Sequence, residues 1–72
     1  TPYLLSALLY EHLGAWGEAL SEYQRIAEHF PDSPALQRSI AFMYDTLGLE
    51  DEAQKAWAVV EQLEKKGKNE NE

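Results

Sequence analysis

The 72-residue chain contains no cysteine, no long apolar run and few basic residues. Without cysteine, disulfides, thiolate metal sites and cysteine nucleophiles are excluded. No apolar run approaches the roughly 18 residues that a membrane-spanning helix needs, so we expect a soluble protein without membrane insertion. The chain opens on Thr1-Pro2-Tyr3, without a start methionine or the basic flank of a signal peptide, which indicates an excised or processed piece. The compartment stays undecided, with the cytoplasm favoured.

Basic residues number only 6 against 13 acidic ones, which gives a net charge of −7 and a pI near 4.6. A surface of that sign repels phosphate backbones and anionic lipid headgroups, so nucleic acid is not an expected partner. The hydrophobic share of 44% is typical of a globular protein. A chain of 8.2 kDa has room for one small domain, with a folded surface of roughly 4,500 Å².

The chain repeats itself with a period of about 34 residues, and a period of this length decides the fold class. We call this spacing of 34 residues between equivalent positions the repeat period. The matched residues are small, aromatic or glycine, and they are spaced like the faces of helices. The superimposed pairs are Ala7 and Ala41, Tyr10 and Tyr44, Leu13 and Leu47, Gly14 and Gly48, Glu18 and Glu52, Ala19 and Ala53, and Tyr23 and Trp57.

Apolar residues recur every three or four positions within each unit, which predicts two helices per unit. We expect helices over about Pro2 to Leu13, Trp16 to Phe30, Pro34 to Leu47 and Glu50 to Lys66. The domain then covers residues 1–66, as units 1–33 and 34–66, and residues 67–72 form a polar, flexible C-terminal tail.

Cap residues and small residues support these boundaries. Thr1 and Ser33 are candidate N-caps, and Gly14 and Gly48 suit the left-handed conformation that follows a helix. Alanines at equivalent places allow the two helices of each unit to approach closely, with aromatic residues filling the space beside them. The pairs are Ala7 with Ala19 and Ala41 with Ala53; the aromatic residues are Tyr10, Tyr23, Tyr44 and Trp57, the last of which we expect in the core.

This order of residues resembles the tetratricopeptide repeat, over most of the chain. The family pattern W-x2-L-G-x2-Y, A-x3-F and P reads here as Tyr3, Ser6, Ala7, Tyr10, Ala19, Tyr23 and Pro31, and again as Gln37, Ile40, Ala41, Tyr44, Ala53 and Trp57. Ser6, Gln37 and Lys65 depart from it. The resemblance implies an all-α fold of two antiparallel helix-turn-helix hairpins, stacked as a short right-handed α-solenoid, and a C-terminal piece of a longer array.

The two ends of the predicted stack differ in polarity. Leu20 and Ala27 in the second helix correspond to Gln54 and Glu61 in the last helix. The outer side of the last helix is therefore polar and can face solvent at the end of the stack. The first helix is apolar almost all round, which is typical of a helix covered on more than one side. Its cover is either preceding repeats or a second copy of the chain, so a homodimer is one prediction.

The sequence offers no catalytic constellation. His12 and His29 lie in different helices without a metal-ligand spacing, and both are expected at the surface. Glu50, Asp51 and Glu52 fall in a first helical turn, which favours carboxylates without any metal. We therefore expect no enzyme activity, no metal and no cofactor.

The resemblance further implies a concave groove lined by the first helix of each unit, which binds a peptide or helical segment of a partner protein. We call its expected lining the predicted groove: Leu4, Leu5, Leu8, Glu11, His12, Arg38, Phe42, Asp45 and Thr46. Chaperone-binding members of the family hold a C-terminal carboxylate with lysine and asparagine at the places that Leu4, Leu8 and Phe42 occupy here. The resemblance therefore implies no such carboxylate clamp, and an apolar or amphipathic peptide fits better. The leucines also suit contact with a neighbouring repeat. Trp16 is expected to pack across its own hairpin.

The predicted function is a non-catalytic protein–protein interaction module that serves as a scaffold in complex assembly. The alternative is a self-association element that uses the apolar first helix.

Overall fold

A computed structural model describes residues 2–70, and every regular element in that range is an α-helix. The elements are α1 (Pro2–His12), α2 (Trp16–His29), α3 (Pro34–Thr46) and α4 (Glu50–Glu70). The prediction of an all-α chain with four helices is therefore confirmed. None of these helices combines the length and apolarity that a bilayer crossing needs, within the described residues.

The N-terminus of α3 lies at the cap residue that the sequence predicted. The Ser33 hydroxyl accepts a hydrogen bond from the Leu36 backbone N–H at 3.3 Å, with Pro34 at the first helical position. Both predictions for this N-terminus are confirmed. The proposed cap at Thr1 lies outside the described residues.

The turns that close α1 and α3 have the same backbone geometry. Gly14 and Gly48 adopt φ of 76° and 77°, in the left-handed region. In the first turn Ala15 N–H donates to the Tyr10 carbonyl at 2.8 Å, and in the second Leu49 N–H donates to the Tyr44 carbonyl at 2.9 Å. Together with the N–H groups of both glycines, these bonds form two Schellman motifs that are one repeat period apart.

The helices pack in the order of the chain. Among the described helices α1 packs on α2, α2 on α3 and α3 on α4, and no other pair is in contact. The result is a flat body of 40 × 29 × 17 Å with 5100 Å² of accessible surface. That area exceeds the roughly 4,500 Å² expected for a compact chain of this mass, because a row of helices exposes more surface than a closed bundle.

Small residues form much of the core. The four alanines predicted to allow close approach of the paired helices are all buried, and so is the aromatic Tyr23. The complete buried set is Ala7, Ala19, Tyr23, Ile26, Ile40, Ala41, Met43, Ala53, Ala56 and Val60.

Two sequence predictions are wrong. α4 continues to Glu70 instead of ending near Lys66, so residues 67–70 of the expected flexible tail are helical; residues 71–72 lie outside the described range. Trp57 is 39% exposed rather than in the core. Tyr23, its equivalent in α2, lies on a helix with neighbours on two sides, whereas α4 packs only on α3 and leaves the Trp57 ring at the edge.

Candidate functional site

The predicted groove draws its residues from two helices that do not touch. Its first five residues lie on α1 and its last four on α3, and α2 packs against both helices. Leu4, Leu5, Leu8 and Phe42 are exposed, as are His12, Arg38, Asp45 and Thr46, while Glu11 is half-buried. The structure thus places eight of the nine at the surface.

Phe42 is the aromatic residue of this set. Its side chain is 52% exposed, and its ring meets Trp16 edge to face, with centroids 6.5 Å apart and an interplanar angle of 86°. This geometry is a favourable one for two aromatic rings. Trp16 is half-buried against a core cluster that includes Ala7 of its own hairpin, and it also contacts a ring in the second unit, which the sequence analysis did not predict. Phe42 is therefore an exposed apolar side chain whose ring contacts a tryptophan that packs against the core.

The two acidic residues of the predicted groove accept hydrogen bonds from the paired helix. The Tyr23 hydroxyl donates to Glu11 Oε1 at 3.0 Å, and Trp57 Nε1 donates to Asp45 Oδ2 at 2.8 Å. Donors and acceptors are each related by the repeat period, so the two units repeat one interaction with different side chains. The sequence pairs Tyr23 with Trp57 but gives no sign that either reaches a carboxylate.

Tyr23 has an altered acidity. Burial raises the pKa of its hydroxyl above the ordinary 10.0, and the hydrogen bond and charge of Glu11 raise it further. The Ser39 side chain, on α3, acts in the opposite direction and lowers this pKa.

The remaining polar residues of the predicted groove have local partners. Arg38 forms an exposed salt bridge with Glu64 of α4, and the Thr46 hydroxyl donates to the Phe42 carbonyl at 2.9 Å. Exposed pairs of this kind contribute about 0–1 kcal/mol, so the salt bridge holds Arg38 only weakly.

The described residues contain no group of three or more side chains arranged to hold a metal ion. His12 and His29 are both exposed, as predicted. They lie at the C-terminal ends of α1 and α2, where a basic side chain suits the helix dipole.

A cleft of about 300 Å³ on another part of the molecule was not predicted from the sequence. It lies over α3, between α2 and α4, and it is bordered by Gln24, Gln37, Ile40, Tyr44, Glu52, Lys55, Ala56 and Val59. Gln24 Nε2 donates to the Tyr44 hydroxyl at 2.9 Å within it. The cleft is broadly open, and its mixed lining defines no single ligand.

Comparison with family models, curated proteins and solved structures gives no significant match to this chain. The resemblance to the tetratricopeptide repeat therefore rests on the internal repeat of the chain itself.

Proposed function

We propose that this chain is a non-catalytic protein-interaction module of the tetratricopeptide type, and that it binds an apolar or amphipathic peptide segment across α1 and α3 as a scaffold in complex assembly. The observation that carries the proposal is Phe42, a half-exposed aromatic side chain supported edge to face by Trp16. Binding energy at protein interfaces concentrates in a few such aromatic anchors.

The structural agreement between the two units supports the arrangement that the proposal needs. The glycine turns, the alanine contacts and the bonds from an aromatic residue to a carboxylate all recur at the repeat period. Two hairpins with the same internal geometry, packed in chain order, are what a short right-handed solenoid requires. In that arrangement Leu8 and Phe42, which are equivalent positions, face the same groove.

The charge of the chain favours a peptide that carries basic residues beside its apolar ones. A carboxylate accepts more than one hydrogen bond, so Glu11 and Asp45 can receive a basic side chain while they hold Tyr23 and Trp57. The net charge of −7 strengthens attraction to a basic segment at low salt.

A random peptide library displayed on phage tests the proposal. Peptides selected on the purified chain should be rich in aliphatic, aromatic and basic residues. Phe42→Ala should weaken their binding by about tenfold or more. Phe30→Ala is the matched control, because Phe30 is a similarly exposed phenylalanine outside the predicted groove. Selected peptides that bind Phe42→Ala as tightly as the parent chain would contradict the proposal.

A further inference from the structure

Three exposed leucines spaced four residues apart follow one side of α1 and continue to Leu13, the residue directly after its end. Leu5, Leu9 and Leu13 are 71%, 57% and 68% exposed, and we call them the α1 leucine face. Residues at this spacing lie on one side of a helix. A contiguous apolar surface of this kind marks an interaction site more often than scattered exposed leucines do.

The second unit shows what covers the equivalent side of a helix in this fold. The residues of the second unit that are equivalent to Leu5, Leu9 and Leu13, one repeat period later, are Ser39, Met43 and Leu47. Met43 is fully buried in a cluster that contains the α2 residues Ala19, Tyr23 and Ile26. Ser39, one turn before Met43, is half-buried, and Leu47, one turn after it, is 39% exposed. This side of α3 therefore packs on the helix that precedes it.

The chemistry of the covering helix can be read from α2. Trp16, Leu20 and Ala27 lie on one side of α2 and pack against the same core cluster. Trp16 reaches Phe42 on α3, and Gln24, at the edge of this side, bonds to Tyr44 on α3. The side of α2 that meets α3 is thus apolar, with a small residue near its C-terminal end.

We propose that the α1 leucine face docks a partner helix with the chemistry of α2, an amphipathic helix that presents a tryptophan, then a leucine four residues later and an alanine seven residues after that. The partner would lie along α1 as α2 lies along α3. The α1 leucine face shares Leu5 with the predicted groove, so the tests below use Leu9, which lies outside that groove, and none of them involves Phe42.

The α4 helix of a second copy does not have this chemistry. The residues equivalent to Trp16, Leu20 and Ala27 are Glu50, Gln54 and Glu61, and all three are exposed. Docking α4 on the leucine face would remove two carboxylates from water without a partner, which is costly. Identical chains are therefore not expected to stack end to end.

A tandem fusion supplies the proposed helix in the correct register. Residues 1–34 are placed directly before Thr1, so that the added α2 precedes the original α1 by the same interval at which α2 precedes α3. The matched control is the same fusion with Leu20→Gln and Ala27→Glu in the added copy only, which are the residues that α4 carries. We expect the fusion to melt about 5 °C or more above this control.

A second variant separates docking from a general change in the added copy. Leu9→Gln in the original unit should lower the melting temperature of the fusion by several degrees more than it lowers that of the 72-residue chain, since Leu9 is covered only in the fusion. Equal melting temperatures for fusion and control, or equal effects of Leu9→Gln in both backgrounds, would overturn the proposal. So would a concentration-dependent dimer of the parent chain, measured by light scattering and abolished by Leu9→Gln, because the occupant would then be a second copy.

Discussion

Buried alanines set the distance between the paired helices. Ala19 is fully buried and Ala53 nearly so, each on the second helix of its hairpin. The space beside a Cβ atom at these places is filled by the opposite helix, and interiors packed at this density have no room for three further carbons.

Replacing Ala19 with leucine should therefore overpack the first hairpin. We expect Ala19→Leu to lower the free energy of unfolding by about 1–3 kcal/mol, measured by urea denaturation. Ala58→Leu is the control, since Ala58 is exposed on α4 and its substitution should change stability by less than about 0.5 kcal/mol. Equal effects of the two variants would show that the alanine contact does not set the helix spacing.

The raised pKa of Tyr23 predicts a pH dependence of stability. A group whose pKa is higher in the folded state stabilises the fold below its unfolded pKa, here 10.0, and this contribution is lost as pH rises through the folded value. Stability should therefore fall above about pH 10, because the ionised hydroxyl is buried beside the Glu11 carboxylate.

Tyr23→Phe isolates that contribution from the titration of lysines and other tyrosines. The variant loses one hydrogen bond, at a cost of about 1 kcal/mol at pH 7. Its melting temperature should then fall less steeply than that of the parent chain between pH 9 and 11.5. Parallel curves across this range would rule out Tyr23 as the source.

At the scale of the element, the two glycine turns depend on backbone conformation alone. A Cβ atom added at Gly14 or Gly48 would meet no other atom within 4 Å, so the positive φ is the only obstacle to substitution. The left-handed conformation costs a residue with a side chain about 1–2 kcal/mol.

Gly14→Ala should therefore destabilise the chain by about 1 kcal/mol in chemical denaturation. Gly17→Ala, in the first turn of α2, is equally free of contacts but lacks the positive φ, and it should be neutral or slightly stabilising. A neutral Gly14→Ala would mean that the turn can adopt another geometry.

The sequence predicts the helices well where a stop signal is present. α1, α2 and α3 each end one residue before the predicted position and two residues before Gly14, Pro31 and Gly48. Gly67 directly follows the predicted end of α4, but the helix passes through this glycine without a positive φ. The lysines and glutamates around it are strong helix formers, and no proline follows residue 34. The composition of the tail predicted a coil, but nothing in it forces the helix to stop.

The candidate site was less predictable than the fold. The resemblance to the tetratricopeptide repeat puts Leu8 and Phe42 on the lining of a groove, and both side chains are exposed. It does not reveal contacts between helices, which depend on side-chain reach: Arg38 extends to Glu64, and Trp57 bonds to Asp45. The exposure of Trp57 follows from the position of α4 at the end of the row, which no local pattern encodes.

At the scale of the whole molecule, the row of helices predicts an uneven distribution of stability. α2 and α3 each pack on two helices, whereas α1 and α4 each pack on one. Terminal helices can therefore open without disturbing the inner pair.

Native-state hydrogen exchange should show the slowest amides in α2 and α3, with exchange at least about tenfold faster in α1 and α4. The proposed tandem fusion provides an internal control, because α1 then has a second neighbour and its amides should become more protected. Uniform protection across all four helices would indicate one cooperative unit instead.

The thin core also has an evolutionary consequence. Five of the ten buried residues named above are alanines, and no polar or charged residue is buried in the described part of the chain. Few positions are thus constrained by packing in the core, and most residues have side chains exposed to solvent. Under the proposed function, single substitutions on the exposed helix faces would change which peptide is bound, while the alanine contacts would keep the helix packing unchanged.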